Sequence, residues 1–349
     1  MMKNNFPDNA VLELTYACNH KCKFCYCPWE NTKKTEFFYE KKDELSIDEW
    51  KTALKILEVN GVDHVGFSGG EPLLKEGFKE LLYFIRESTG LNKDRMINVI
   101  SNGKLIDDEM ISVFKETEVH LQLSLPGIKT YKWHTGYDES GNILRLLWLA
   151  RKNGIATAAN VIVTPRNLHE VYETIACAFL AGAEVIMLNR ALVGGRGINY
   201  KDEITLNMDQ IREMIETAQE ALETAGITGS VGTEFPLCAL PDGDMDKYPN
   251  LQIGALCAAT QGFFAVDPSG YIRTCNHSTR RVGHILNDDI LTDMEYWNLF
   301  AGREFAPPEM CVGCDLYDIC DCGCREAAFI CSGSLSAPDP CFSNYKGGN

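Results

Sequence analysis

Short apolar runs alternate with amphipathic patterns through the first two hundred residues. Runs of strand length cover residues 11–15, 62–67, 97–100, 119–125, 158–163 and 185–188. Helical periodicity covers residues 47–59, 78–87, 107–115, 143–151 and 168–181, and Ser46 with Glu49 predicts a capping box for the first helix. Strands that alternate with helices form parallel sheets. The pattern predicts an α/β fold, either an open doubly wound sheet or a barrel of six units, which periodicity does not separate.

The pattern changes after Leu192. A glycine-rich stretch, 194–197, ends the last unit, and an amphipathic helix is predicted over 208–224. From Cys238 onward the chain contains turns, cysteines and short apolar runs. Two of these runs, 263–266 and 271–274, flank a turn sequence and predict a β-hairpin. We therefore expect three parts: a domain over 1–200, a connecting helix and bridging region over 201–237, and a cysteine-rich domain over 238–349.

Composition and charge narrow the class of protein. Hydrophobic residues make up 45% and charged residues 23% of the 349, as in soluble globular proteins. The net charge of −16 disfavours nucleic acid as a partner, because phosphate contacts need clustered Lys and Arg. The polar start of the chain has no signal-peptide core, and no apolar run reaches the roughly 18 residues of a spanning helix. We expect a cytoplasmic protein that does not bind membranes.

Cysteine is the compositional outlier, with fifteen residues. A chain of this size without an export signal keeps its thiols reduced, so clustered cysteines indicate metal ligands rather than disulfides. Four lie from Cys18 to Cys27 and nine from Cys257 to Cys341. Only Cys177, alone in a helical stretch, suits the role of a small buried hydrophobe.

The first group of cysteines follows the first predicted strand. Cys18, Cys22 and Cys25 have C-x3-C-x2-C spacing. Structural zinc sites prefer paired C-x2-C hooks with four protein ligands, and electron-transfer clusters normally close all four irons. Three thiolates on one loop instead hold three corners of a 4Fe–4S cluster and leave the fourth iron open for another ligand.

This spacing, with the aromatic Phe24 before the third cysteine, resembles the motif of the radical S-adenosylmethionine (SAM) superfamily. The resemblance implies a partial (β/α)6 TIM-like barrel. It also implies that the open iron chelates the methionine moiety of SAM, which one electron cleaves to a 5′-deoxyadenosyl radical. The reductant expected for this chemistry is external, such as flavodoxin or ferredoxin, under anaerobic conditions. A nonenzymatic redox role would leave the next motif without a purpose.

Further segments at predicted strand ends are similar to cofactor contacts of that family. Gly69, Gly70 and Glu71 resemble its GGE motif, in which the backbone and Glu contact the methionine amino group. Segment 101–103 is similar to its Thr-Asn-Gly. Ser124 is a further candidate contact, although Pro126 replaces the usual acid nearby. Arg145 is a candidate for the methionine carboxylate, and a solvated helix-face arginine is the alternative.

The C-terminal cysteines resemble the SPASM domain, a small iron–sulfur domain with two auxiliary 4Fe–4S clusters. The likeness covers Gly270 and seven cysteines, whereas a pair of zinc ribbons fits the spacings poorly. The resemblance implies that the nearer cluster takes Cys257, Cys275 and Cys324. It assigns the farther cluster to Cys311, Cys314, Cys320 and Cys341. Either Cys238 completes the nearer cluster or its fourth iron stays open. Cys27, Cys322 and Cys331 receive no role.

Enzymes with this two-part layout mostly modify peptides or proteins, by crosslinks, thioethers or oxidation, and a minority oxidise small molecules. Anaerobic sulfatase maturases carry an Asp after the cysteine that corresponds to Cys275. Asn276 stands there, and its amide is not a base, which disfavours that activity. We expect a peptide or protein substrate, with a small-molecule oxidase as the alternative. Only ten residues precede the first strand, so a leader peptide would need a separate binding protein or the catalytic domain itself.

Two groups of aromatic and histidine residues remain without a decided role. Segment 28–44 either lines a substrate channel or covers the open side of the barrel, with the aromatic residues Trp29, Phe37, Phe38 and Tyr39. Residues in or after the fourth strand either face the substrate or pack as a loop, namely His120, Tyr131, Trp133 and His134.

Overall fold

The computed structural model describes residues 6–31, 39–88, 94–254 and 256–343. Its strands are β1 Asn9–Glu13, β2 His64–Ser68, β3 Ile97–Ser101, β4 Val119–Ser124, β5 Thr157–Val163, β6 Val185–Arg190, β7 Gly229–Val231, β8 Leu251–Ile253, β9 Phe264–Val266, β10 Tyr271–Arg273 and β11 Gly283–His284. Its α-helices are α1 Ile47–Val59, α2 Phe78–Glu87, α3 Asp108–Glu116, α4 Tyr131–Thr135, α5 Ser140–Lys152, α6 Val171–Ala181, α7 Lys201–Ile204, α8 Met208–Ala225, α9 Met294–Ala301 and α10 Arg325–Ser332.

Local sequence signals place the first helix. The Glu49 carboxylate accepts the backbone N–H of Ser46 at 2.7 Å, and the Ser46 hydroxyl accepts that of Glu49 at 3.3 Å. This capping box confirms the predicted start of α1. The predicted bounds of α1 and α2 agree with the structure to the residue.

The sheet confirms the predicted α/β fold. Strands β1 to β6 pair in parallel and in chain order, with helices between them. Two short strands that the sequence did not predict, β7 and β8, continue the parallel order beyond β6. The strand order is linear in the described ranges, with β8 at one edge, so the barrel is open.

The two faces of the barrel strands differ in burial. Along β3 and β5, odd-numbered residues are buried under the helices, and even-numbered residues are half-buried. Because side chains alternate across a strand, the half-buried set faces the barrel interior. Its members include Asn98, Gln122, Asn160 and Met187. The interior is therefore lined with side-chain amides together with apolar side chains such as Met187 and Ile162.

The C-terminal region joins the same sheet. Strand β9 pairs in parallel with β1, from Ala10 opposite Phe264 to Leu12 opposite Val266. Strand β10 returns antiparallel to β9, which confirms the predicted hairpin. The hydrogen-bonded ladder thus crosses both expected domain boundaries. In the described ranges every helix is too short or too polar to cross a bilayer.

Candidate active site

The cysteine loop follows β1 at the carboxyl edge of the sheet, where ligands bind in α/β folds. Two of its backbone N–H groups are bound by α4. Lys21 donates to the carbonyl of Thr135 at 3.3 Å, and Lys23 donates to that of His134 at 2.8 Å. The loop between the three cysteines is therefore held on one side by a helix that comes after β4.

The glycine-rich segment after β6 holds the other side of the loop. Gly197 donates its N–H to the Cys25 carbonyl at 3.1 Å, and the Arg196 guanidinium donates to the Cys22 carbonyl at 3.2 Å. A Cβ on Gly195 would lie 2.2 Å from the Cys27 carbonyl oxygen, so only glycine permits this approach. Sequence reasoning took the segment as the end of a unit, although three glycines in four residues are a signal of close packing.

The three thiols influence one another strongly. Burial raises the pKa of Cys22 well above its ordinary value, and the charges of Cys25 and Cys18 add to the shift. Burial likewise raises the pKa of Cys18 to about 11. The Cys18 sulfur accepts the N–H of His20 at 3.4 Å, as a thiolate ligand of an iron–sulfur cluster commonly does. Thiols that affect one another's charge in this way lie near one another, as the ligands of one cluster must, and a bound iron would stabilise their thiolate forms.

A single metal ion does not suit these thiols. Among the described residues, no three His, Cys, Asp or Glu side chains converge on the position of one ion. A 4Fe–4S cluster binds each thiolate to a different iron, so its ligands stand farther apart. Three thiols that do not converge on one point are compatible with a cluster.

The Gly69-Gly70-Glu71 segment lies directly against the cysteine loop. Gly70 donates its N–H to Thr15 and Glu71 donates its N–H to Ala17, each at 2.8 Å. A Cβ on Gly70 would lie 2.0 Å from the Ala17 carbonyl oxygen. The two glycines thus allow β2 to end in contact with the chain that leads into Cys18.

The Glu71 carboxylate is buried and oriented by three donors. It accepts the Ser101 hydroxyl at 2.8 Å, the Asn102 N–H at 2.9 Å and the Leu73 N–H at 3.4 Å. Burial nevertheless raises its pKa to about 7, and the three donors only reduce the shift. The group is thus close to half ionised at neutral pH, and a bound cation would favour its charged form.

Three further candidate cofactor contacts have different surroundings. Asn102 reaches the cysteine loop, where its amide donates to Asn19 at 2.7 Å. Ser124 is half-buried at the end of β4, opposite Asn160. Phe24 is half-buried, with its ring 6.0 Å from that of His134.

Arg145 does not lie with these candidate cofactor contacts. Its side chain is exposed, and its hydrogen bonds go to Asn142 within α5 at 3.1 and 3.3 Å. The neighbouring residues Ile143, Leu146 and Leu147 are buried, which directs Arg145 outward. The structure therefore favours the helix-face alternative for this residue.

The aromatic and histidine candidates have structural roles in the described ranges. Tyr131 and His134 are fully buried under the cysteine loop. His120 is exposed near the start of β4, away from the carboxyl edge. Trp29 and Tyr39 are buried with Tyr16 in an aromatic cluster, which favours a cover over a channel. Phe37 and Phe38 lie outside the described residues.

In the tail, three buried or half-buried thiols form a nearer set. Burial raises the pKa of Cys257 well above its ordinary value, and the charges of Glu234, Cys275 and Cys324 add to the shift. The Cys324 sulfur accepts the Ala327 N–H at 3.4 Å. This set is the one that the sequence assigned to the nearer auxiliary cluster, and the structure brings its members together.

The farther set also assembles, and it includes Cys238. The pKa of Cys238 is raised to about 11, first by burial and then by Cys320, Cys311 and Cys314. Its charge also raises the pKa of Cys341. The structure thus places Cys238 beside the farther set, rather than beside the nearer set, which was one of the two alternatives for it. The Leu237 N–H donates to the Cys320 sulfur at 3.4 Å, so the residue before Cys238 is bound to a member of the farther set.

Two acidic residues that the sequence analysis missed organise the tail. The Asp339 carboxylate accepts the N–H groups of Cys324 at 2.8 Å and of Cys341 at 2.9 Å. The same carboxylate forms a bidentate, buried ion pair with Arg190 at the end of β6. Asp321 accepts the Cys257 N–H at 2.5 Å. The Asp before Pro340 in the 338–341 segment was the available sequence signal.

The three cysteines without an assigned role, Cys27, Cys322 and Cys331, differ in burial and in hydrogen-bond partners. The Cys27 thiol donates to the Gly69 carbonyl at 3.3 Å, and its hydrogen bond to Cys25 lowers the pKa of Cys25. Cys322 is buried beside Cys320, and Cys331 is half-buried in α10. Asn276 donates its amide to the Tyr26 hydroxyl at 2.8 Å, which links the tail to the cysteine loop.

Comparison with known proteins agrees with this geometry. Residues 12–178, from β1 through most of α6, match the Radical SAM superfamily. These residues are a radical SAM domain. Such domains bind SAM and a 4Fe–4S cluster. The cysteine loop and the Gly69-Gly70-Glu71 segment both lie inside the matched region.

Two known proteins are similar to nearly the whole chain and not only to the matched domain. The PqqA peptide cyclase of Gluconobacter oxydans (strain 621H) is 25% identical over 97% of this chain and 90% of its own length. The mycofactocin maturase MftC of Mycobacterium tuberculosis (strain CDC 1551 / Oshkosh) is 27% identical over 96% of this chain and 82% of its own.

Solved structures show the same fold. Streptococcus suis SuiB bound to its precursor peptide SuiA superposes with a TM-score of 0.69, at 16% identity, over 96% of this chain and 75% of that one. The protein anSMEcpe, with bound AdoMet and a Cp18Cys peptide, gives a TM-score of 0.71 at 18% identity, over 97% and 95%. The open barrel and the cysteine-rich tail of this chain thus both belong to a fold seen in radical SAM proteins.

Proposed function

We propose that this chain is a radical SAM enzyme that abstracts hydrogen from a peptide or protein and so installs a post-translational modification. One observation carries the proposal. Three thiols on a loop, held on both sides by backbone hydrogen bonds, lie against a glycine-glycine segment that ends in a buried carboxylate. The binding of a cluster and SAM explains all three features together: the thiol loop, the glycine pair and the buried carboxylate.

The residues of the cysteine loop and of the Gly69-Gly70-Glu71 segment have different roles in the proposed site. Cys18, Cys22 and Cys25 hold the cluster, which when bound supplies the electron that cleaves SAM to methionine and a 5′-deoxyadenosyl radical. Glu71 binds the methionine amino group, because an ionised carboxylate is a strong acceptor for an amine N–H. Gly69 and Gly70 let the backbone approach the same group.

A peptide substrate is supported from two sides. The relatives named above are a peptide cyclase and a maturase, and SuiB and anSMEcpe bind peptides. The barrel interior of this chain carries side-chain amides, including Asn160 and Asn189, whose side chains lie 2.6 Å apart. Amides can both donate to and accept from a peptide backbone, so they suit an extended chain.

The first test concerns SAM cleavage. Reconstituted and reduced protein is incubated with SAM, and 5′-deoxyadenosine is measured by liquid chromatography and mass spectrometry. We expect product from the natural sequence and none above background from Cys18→Ala. Equal amounts from both proteins would contradict the proposal.

The second test concerns the substrate. Short peptides encoded beside this gene are incubated with the active enzyme, and their masses are compared with those after incubation with Cys18→Ala. A crosslink or an oxidation removes two hydrogens, which fragmentation then places on particular residues. Turnover of a sugar or another small metabolite, with every peptide unchanged, would instead favour the small-molecule alternative.

We also propose two auxiliary 4Fe–4S clusters in the tail, at the nearer and farther sets. The support is the assembly of both sets of thiols and the backbone N–H groups that reach the sulfurs of Cys324 and Cys320. Iron analysis tests the number: about twelve irons per chain correspond to three clusters, and about four to one.

The proposed surroundings follow from the same chemistry. All fifteen cysteines are free, which supports a reducing, cytoplasmic location. We propose an external one-electron donor, such as flavodoxin or ferredoxin, as a partner, together with a leader-peptide-binding protein if the substrate has a leader. Co-purification of each partner with the tagged enzyme tests these two interactions.

A further inference from the structure

The surroundings of the cysteine loop differ in charge from the rest of the chain. The chain carries a net charge of −16, yet four segments that meet at this loop contain Lys or Arg and no Asp or Glu. They are the loop itself at 18–27, α4 with its flanking residues at 128–137, the segment 164–169 after β5, and 190–201, which contains the glycine-rich segment. Acidic residues begin directly beyond three of them, at Asp138, Glu170 and Asp202. An acidic protein is thus basic around the loop that carries its first cysteines.

Backbone hydrogen bonds and ring contacts join these basic side chains into one surface. The backbone N–H groups of Lys21 and Lys23 are bound by α4. The Lys23 ammonium lies 4.0 Å from the centre of the half-buried Trp133 ring, and the Arg166 guanidinium carbon lies 5.8 Å from the same centre. Lys132 is the exposed neighbour of Trp133 in α4. We call five residues the loop surface: Lys21, Lys23, Lys132, Trp133 and Arg166.

The cations of the loop surface form no ion pair with any described residue. The ion pairs of the described ranges all involve other basic side chains. Lys21, Lys132 and Arg166 are exposed, and Lys23 is half-buried. Because like charges on neighbouring segments repel one another, an anion bound from outside would lower the electrostatic free energy of this surface.

The loop surface includes the stretch of chain that carries the proposed cluster ligands. Lys21 and Lys23 lie on either side of Cys22, and consecutive Cα atoms are about 3.8 Å apart. A protein that binds these lysines is therefore held next to the cluster site rather than at a distance from it. The peptide substrate has a different place, because the amides that suit it line the barrel interior.

We propose that the loop surface is the docking site of an acidic one-electron donor protein of the flavodoxin or ferredoxin type. The inference rests on the proposed radical SAM activity, which consumes one electron for each SAM cleaved. At this surface the donor is oxidised by one electron and the bound cluster is reduced by one, and no covalent bond forms. Opposite charges accelerate the encounter, and Trp133 offers an aromatic contact of the kind enriched in protein interfaces.

The first test measures the binding of a purified acidic flavodoxin to full-length, reconstituted protein. Lys132→Glu with Arg166→Glu reverses two charges of the loop surface at residues that are not adjacent to a cysteine. The matched control is Lys115→Glu with Lys152→Glu, which reverses exposed charges on α3 and α5. Lys152 is also matched in its contact, since its ammonium lies 3.9 Å from the centre of the Trp148 ring.

At low salt we expect the first variant to bind flavodoxin at least about tenfold more weakly than the natural sequence. The control should bind within about twofold of it. Binding to the natural sequence should weaken as salt is raised, because the charges that attract the donor are exposed and are screened.

The second test separates docking from the chemistry of the site. Formation of 5′-deoxyadenosine is measured with reduced flavodoxin below saturation and, in parallel, with dithionite, a small reductant that needs no docking surface. We expect the variant of the loop surface to be at least about tenfold slower than the natural sequence with flavodoxin and equal to it with dithionite. The control should match the natural sequence with both reductants.

Three outcomes would overturn the docking site. Equal flavodoxin affinity and equal rates in all three proteins would show that the donor binds elsewhere. An equal loss of rate with dithionite would show that the two side chains act on the cluster site itself. Unchanged flavodoxin binding, together with weaker binding of an acidic peptide, would assign the loop surface to the substrate. By contrast, a natural protein that forms no 5′-deoxyadenosine even with dithionite would contradict the radical SAM activity, while flavodoxin binding would still decide the docking site.

Discussion

Glu71 combines burial with a set of donors that hold it in one orientation. The Ser101 hydroxyl and the Leu73 N–H donate to Oε1 of the carboxylate, and the Asn102 N–H donates to Oε2. Burial is still the larger effect, and the pKa is raised to about 7. At the residue scale, the proposed SAM site therefore includes a carboxylate whose charge varies within the physiological range.

This charge predicts a pH dependence of SAM binding. The raised pKa of about 7 means that Glu71 is ionised above neutrality and protonated below it. Because the ionised carboxylate is the stronger acceptor for the amine N–H, and its fraction falls about tenfold from pH 8 to pH 6, affinity should fall by up to about tenfold over this range. Equilibrium binding of SAM to reconstituted protein measures this. Glu71→Gln should bind more weakly at pH 8 and show a flat profile, and an unchanged slope in that variant would exclude Glu71 as its source.

Gly70 offers a steric test at the same scale. In Gly70→Ala, the new Cβ would meet backbone atoms of Ala17, at 2.0 Å from its oxygen and 2.5 Å from its carbon. Backbone cannot rotate away as a side chain can, so the chain leading into Cys18 must move. We expect a loss of about four irons per chain and of 5′-deoxyadenosine formation.

Gly141 provides the matched control for Gly70. It lies within α5, and a Cβ there meets nothing within 4 Å. Gly141→Ala should keep all iron and raise helix stability by up to about 1 kcal/mol. Equal iron losses in both variants would show that steric contact at Gly70 is not the cause.

At the scale of elements, α4 supports the cysteine loop through a buried histidine. Its carbonyls bind the loop, and the His134 ring lies 2.9 Å from both the Thr130 carbonyl and the Thr164 hydroxyl. Burial lowers the pKa of His134 to about 4. The element that supports the cluster loop is therefore stable only while this ring is neutral.

Acid should weaken this support. With a folded pKa of about 4 and an unfolded value near 6.5, stability is full above pH 6.5 and is lost as the pH falls toward 4. From pH 7.5 to 5.5 the ring accounts for about 1 kcal/mol of the free energy of unfolding. Urea titrations of the reconstituted protein at both pH values measure this, and His134→Gln should lack that part of the change. The exposed His120, changed to Gln, should leave it intact.

At the scale of the whole molecule, backbone hydrogen bonds between strands and buried ion pairs attach the tail to the barrel. Strand β9 extends the sheet beside β1, and two buried ion pairs cross between the parts: Arg190 with Asp339, and Arg273 with Glu13. Asp339 also binds the N–H groups of two proposed cluster ligands. Changes at this junction should therefore affect both stability and iron content.

Asp339→Ala tests the junction. It leaves the Arg190 charge buried without its partner, which costs about 3–5 kcal/mol in comparable pairs. We expect unfolding at lower urea concentration and a loss of tail iron. Asp242→Asn, in the exposed pair with Lys247, should change stability by less than about 1 kcal/mol. Similar effects in both variants would contradict a special role for the buried pair.

Much of the barrel was predictable because its signals are local. The periods of strands and helices follow from backbone geometry, and the capping box at Ser46 lies within one turn. These signals predicted six strand–helix units and the hairpin of β9 and β10. The spacing of Cys18, Cys22 and Cys25 likewise indicated the first cluster, since ligands on one loop need no knowledge of the rest of the fold.

Tertiary structure alone decided the contacts between distant segments. Strands β7 and β8 have three residues each, too few to show a period, and they are strands only because β6 offers an edge. Cys238 joined the farther set because the chain folds back, and Arg190 met Asp339 across 149 positions. Sequence by itself determined the chemistry of the cysteine loop. The fold decided which residues hold that loop and which carboxylate binds the N–H groups of Cys324 and Cys341, because such contacts depend on packing rather than on local pattern.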